Sequence, residues 1–125
     1  MKNCILLLIV ILVTTIPMSH AEDKTCSDEK MNNVEILQCL MHEYEELEEK
    51  RQTAEKNWIK SAEELDQLAG YENSLEATRK SKEAFEIYRE IECRRYRLTY
   101  GNGSLAGHGE VECKIKLTKQ RIDIL

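Results

Sequence analysis

Proline is almost absent from this 125-residue chain: its single copy, Pro17, lies within the first 21 residues. No later segment carries the residue that breaks a helix interior by losing its N–H and clashing with the preceding turn. Aromatic residues are scarce too, seven in all with one Trp and one Phe, so the core is expected to be thin. After the first 21 residues no apolar run approaches the ~20 residues of a membrane span. No nucleophile, metalloprotease or phosphate-loop motif occurs, so an enzyme is disfavoured and neither a cofactor nor a metal is expected. His42 and Glu46 stand at i, i+4 and reach one side of a helix, but a solvated acidic face accounts for them better than a metal ion. The overall charge balance is acidic, 18 Lys and Arg against 23 Asp and Glu, which argues against nucleic acid as a partner.

The first 21 residues read as a leader. Lys2 supplies a positive start, Cys4 to Val13 is a nearly unbroken apolar run, and Ser19-His20-Ala21 places small residues at −3 and −1 of a cleavage site. That is the pattern of a secretory signal peptide. The mature domain is then expected over residues 22–125, periplasmic or secreted and without a membrane span. Its loss of Lys2 leaves 17 basic against 23 acidic side chains.

Cys4 leaves with the leader, and four cysteines remain: Cys26, Cys39, Cys93 and Cys113. An even number in a short exported chain reads as two disulfides. Close cysteine pairs of the zinc-binding kind are lacking.

Helical periodicity dominates what is left. Leu37, Leu40, Tyr44, Leu47, Ala54, Trp58, Leu65 and Leu68 form one stripe, interrupted by Arg51 and Ser61. The spacing predicts a long helix from about Asn33 to Leu68, capped by Asn32 or Asn33 and ended by Gly70. Ala77, Ser81, Ala84, Tyr88, Ile91, Arg95 and Leu98 predict a second helix from Ser74 to about Leu98, with Asn73 or Ser74 as its cap. Tyr100 to Gly109 holds four of the five glycines and reads as a loop. Val111, Ile115, Thr118, Ile122 and Leu125 predict a last helix. The expected fold is therefore all-α, an antiparallel three-helix arrangement with one long N-terminal helix and two disulfides. A hairpin of the last two helices turning near Gly103 brings Cys93 opposite Cys113, leaving Cys26 for Cys39; spacing alone does not exclude the other two pairings.

Charge is unevenly distributed. Residues 22–76 carry sixteen acidic and six basic side chains, whereas residues 77–125 carry seven acidic and eleven basic. The acidic density peaks at Glu43, Glu45, Glu46, Glu48 and Glu49, which wrap a helix as a negative collar. Such a run commonly serves solubility. It also attracts a cationic partner, raising association rate more than affinity.

Ser81 to Cys93 resembles a segment that typically reads Ala-Gln-x-Ala-Trp followed by Tyr-Arg-Asp and Cys, the signature of the LprI-like lysozyme inhibitor family of exported bacterial proteins. The Gly101-Asn102-Gly103-Ser104 stretch, Cys113 and Thr118-Lys119-Gln120-Arg121 extend the likeness to Leu125, and Cys26 and Cys39 resemble the family's N-terminal pair. Phe85 stands where Trp is usual, Lys82 where Gln is usual, and the family's Leu-Asn-x-x-Tyr segment is not recognisable in the first helix. The resemblance implies a disulfide-bonded helical domain of the cell envelope that inhibits lysozyme. It also implies mostly structural roles for the matched residues: Tyr88 and Ile91 buried, Arg89 holding the loop or the last helix. On that reading a basic host lysozyme is drawn in by Glu45, Glu46, Glu48 and Glu49 and contacted by Tyr100, Ser104 and His108. The alternative is a periplasmic scaffold whose long helix pairs with a partner helix.

Overall fold

The computed structural model describes residues 26, 29–101 and 103–125. The expected leader with its cleavage site, and Asn102, lie outside the described residues. Among those described there are three helices and no strand: α1 (Asn33–Leu65), α2 (Ser74–Thr99) and α3 (Ser104–Asp123). Each runs antiparallel to the one before it, and α3 packs more extensively on α1 and α2 than those two pack on each other.

The start of α1 follows from a capping box. Asn32 accepts from the Val34 and Glu35 amides at 2.9 and 3.1 Å, and Glu35 returns a bond from the Asn32 amide at 2.8 Å. The helix stops three residues short of the expected Leu68, and Gly70, with φ of +90°, sits in the following turn rather than at the helix end. The reason is Asp66. Its carboxylate turns across the link to accept from the Ser74 and Leu75 amides at 2.7 and 3.1 Å, capping α2 from outside. Asn73 makes no side-chain cap of its own. The Leu75 and Ser74 amides hold the Asp66 carboxyl below its ordinary pKa, as a negative charge at a helix N-terminus should be held.

Both disulfides join the cysteines expected: Cys26 with Cys39, and Cys93 with Cys113. The apolar core they flank is small. Cys26, Leu40 and Ile115 are buried, with Ile36, Cys39, Tyr44, Leu47 and Val111 packed around them.

Two sequence expectations are corrected here. The glycine-rich segment is not one loop: Tyr100 and Gly101 turn the chain after α2, and α3 begins at Ser104 and runs straight through Gly107 and Gly109. Glycine costs a helix about 1 kcal/mol relative to alanine. Gly109 offsets that through close approach, because a Cβ there would lie 3.0 Å from the Tyr100 ring. The second correction concerns the face of α2. The stripe of Ala84, Tyr88, Ile91 and Leu98 is turned outward, with Ile91 66 % and Leu98 73 % exposed. Phe85, Arg89 and Cys93 face inward instead. One residue along a helix is about 100° of rotation, and the Cys93–Cys113 bond and the ion pairs of Arg89 fix which face wins.

Candidate functional site

Where the α1 stripe leads one to expect apolar packing, the middle of the bundle is ionic. Arg51 is only 1 % exposed. Its guanidinium donates to Glu48 at 3.0 and 2.5 Å, to Glu55 of the same helix, and to Glu86 of α2 at 3.0 Å. Arg89 crosses from α2 to Glu48 at 2.6 Å and to the Thr118 hydroxyl at 3.0 Å. Arg121 of α3 completes the set, reaching Glu55 and the Ser81 hydroxyl, each at 3.1 Å. The Phe85 ring stands among the three guanidiniums of Arg51, Arg89 and Arg121, whose carbons lie 5.7, 5.3 and 5.4 Å from its centroid. Among the described residues, the buried Nε of Arg89 is left without a hydrogen bond.

Three arginines and three glutamates balance one another, as buried charge requires. Burial works against the Glu48 anion. The hydrogen bonds from Arg51 and Arg89 outweigh it, and their charges add to the effect, holding its pKa at about 2. Burial likewise opposes the Arg51 cation, but bonding and attraction from Glu48, then Glu55, raise its pKa above the usual arginine value. Neither of these two groups exchanges a proton near neutrality. The cluster fixes the rotation and register of the helices.

A pH dependence follows with a definite sign. Because the folded pKa of Glu48 is depressed from 4.5 to about 2, its contribution to stability is complete above 4.5 and is lost as pH falls between those values. Urea midpoints should therefore drop from pH 6 to pH 3, and the drop should be smaller in Glu48→Gln. An equal drop in both proteins would remove Glu48 from the account.

The acidic collar separates into two groups. Glu48 points inward, and Glu43 is tied to Lys119 at 2.8 Å. Glu45, Glu46 and Glu49 face solvent. Glu46 stands 3.7 Å from His42, while Glu45 and Glu49 have no ion pair among the described residues. Tyr100 is 58 % exposed and borders a groove of about 390 Å³ between α2 and α3, together with Tyr88, Tyr96 and Glu92. Ser104 opens α3. His108, expected in a loop, lies on α3 at 8 % exposure, its Nε2 2.8 Å from the Asn33 carbonyl. It ties the start of α3 to the start of α1 and is not presented to a partner.

A comparison with known families bears on this arrangement. The model of the family described as lysozyme inhibitor LprI matches residues 26–125. The chain belongs to the LprI lysozyme inhibitor family. No curated protein and no solved structure matches it. The family match spans all three helices and both disulfides, so it covers α1, where the sequence likeness had been thin. For a member of an inhibitor family, binding rather than catalysis is the function to be explained. The two disulfides agree with an oxidising compartment outside the cytoplasm. No described helix is long and apolar enough to cross a membrane.

Sequence reasoning missed the ionic centre. The signal was present in Arg51, which sits on the α1 stripe with Glu48 three residues before it and Glu55 four after. Spacing of that kind places all three on one side of a helix. The Arg89 expectation came closer, since this side chain does hold the last helix through Thr118.

Proposed function

We propose that the protein is exported, matures near Glu22, and inhibits a basic lysozyme by binding it. The outward carboxylates of α1 draw the enzyme in, and the tyrosine-lined end of the α2–α3 groove makes contact. One observation carries the electrostatic part. Glu45 and Glu49 have no cation within reach among the described residues, whereas Glu43, Glu48, Glu55 and Glu86 are each occupied within the bundle. Unpaired surface charge of one sign raises the rate of encounter with a partner of the other sign. Tyr100, with Tyr96 beside it at 6.3 Å between ring centroids, offers the aromatic surface that interface centres favour.

The triple variant Glu45→Gln, Glu46→Gln, Glu49→Gln should associate with a basic lysozyme about 3–10 times more slowly at low salt. The difference should shrink as salt shortens the screening length from about 30 Å at 0.01 M to about 8 Å at 0.15 M. Tyr100→Ala should instead speed dissociation. Surface plasmon resonance with the enzyme immobilised separates the two rates. A triple variant that associates as fast as the parent at every salt concentration would rule out steering by α1.

The second reading, a scaffold that pairs with a partner helix, is favoured by a different helix from the one expected. The outward Ala84, Ile87, Tyr88, Ile91 and Leu98 of α2, not the length of α1, supply the apolar face for it. Retention of full lysozyme activity on bacterial cell walls in the presence of the purified protein would favour this reading.

A further inference from the structure

Trp58 and Ser61 stand on the α1 stripe, yet neither is a core residue, and the bundle gives both another setting. Beyond the ionic centre, past the last turn of α3, a cleft of about 730 Å³ opens between α1 and the first turns of α2. That volume lies within the range of small-molecule sites. We propose that this cleft binds a neutral saccharide, with the Trp58 ring as the stacking platform and Asn57, Ser61 and Thr78 as hydrogen-bonding partners.

A third of all residues in the chain are charged, yet not one charged side chain is among those lining the cleft. An anionic ligand would find no counter-charge among these side chains, and the main-chain oxygen of Leu125 is already taken by the Trp58 indole. Trp58 is 47 % exposed, and its indole N–H donates to the main-chain oxygen of Leu125. The ring is thus held in place with its donor satisfied, which leaves the flat apolar surface free. Small neighbours, Ala54 and Ala77, leave the ring room to take a flat ligand.

The polar groups decide between a sugar and a purely apolar ligand. Serine and threonine within helices commonly bond back to the carbonyl four residues earlier. Thr53 and Thr99 do so here, at 2.9 Å each. Ser61 and Thr78 do not, and Asn57 likewise has no side-chain hydrogen bond among the described residues. An acyl chain seated on these groups would strip them of water and leave them unpaired. A pyranose ring offers an apolar C–H face to the indole and hydroxyls at its edge to the three side chains. It therefore matches both kinds of surface at once.

The test uses the disulfide-bonded protein without lysozyme, so its outcome is independent of the inhibition reading. Trp58 is the sole tryptophan, and its emission reports on the cleft alone. Maltotriose and tri-N-acetylchitotriose are titrated in parallel, with decanoate as the apolar probe. A saturable emission shift with at least one of the two saccharides is expected. Thr78→Val and Asn57→Leu, checked for unchanged helicity, should each weaken binding about fivefold, the effect of one lost hydrogen bond. The proposal is overturned by no saturable shift with either saccharide, by a shift with decanoate alone, or by unchanged affinity in both variants.

Discussion

Arg51→Met should lower the free energy of unfolding by about 3–5 kcal/mol, the usual consequence of removing one partner from a buried ion pair. The side chain is held by Glu48, Glu55 and Glu86 and packs against Phe85. Methionine keeps much of the volume but leaves Glu55, itself buried, with Arg121 as its remaining cation. Against a total of about 5–15 kcal/mol for a domain this size, the loss is a large fraction. Thermal and urea unfolding followed by circular dichroism measure it. The cost comes from stranded carboxylates rather than from a missing attraction, which gives a second expectation. Adding Glu48→Gln and Glu55→Gln to Arg51→Met should recover part of the loss, because buried ion clusters contribute little net stability against neutral replacements. A cost below about 1 kcal/mol for Arg51→Met alone would mean that water reaches the cluster and screens it.

The same cluster explains why some of the fold was legible in the sequence and some was not. Helices were readable because the chain after Pro17 has no proline and because Asn32 and Glu35 spell a capping box. The disulfide pairing was readable because antiparallel neighbours share a nearly constant sum of residue numbers. Cys93 with Cys113 obeys that rule, and so do Arg97 with Glu110 and Glu90 with Lys114. The inward face of α2 was not readable. Apolar periodicity assumes that a small bundle buries its apolar residues, but here α2 buries Arg89 and leaves Ile91 and Leu98 in water. Three cations around one phenylalanine ring, each matched by a carboxylate from another turn or helix, leave no periodic apolar signal. The extent of α3 was obscured for a related reason. Glycine density marks a loop only when nothing rewards the absence of a side chain, and at Gly109 the Tyr100 ring supplies that reward. Of the residues first considered for partner contact, Glu48 and His108 proved to be internal ties. Being charged or polar in sequence says nothing of which way a helix is turned.

Cys93→Ala with Cys113→Ala should destabilise the domain by about 3 kcal/mol or more, and by more than Cys26→Ala with Cys39→Ala. Chain entropy alone does not separate the two bridges. They close spans of 20 and 13 residues, and the cost of opening a loop depends only logarithmically on its length, with ~3 kcal/mol expected for about 15 residues. Packing separates them. Cys93 is completely buried, and α2 brings few other apolar groups inward besides Phe85, so the bridge is its main non-ionic attachment to α3. The Cys26–Cys39 bridge ties only Cys26, seven positions ahead of α1, to that helix, although Cys26 also covers Leu40 and Ile115. Loss of the first bridge should loosen α2 as a unit, and loss of the second should leave the bundle intact with a weaker apolar end. Urea unfolding of the two double variants gives the energies, and amide hydrogen exchange locates the loosening. Equal destabilisation, or exchange in the first variant confined to α1, would show that the ionic cluster holds α2 without help from the bridge.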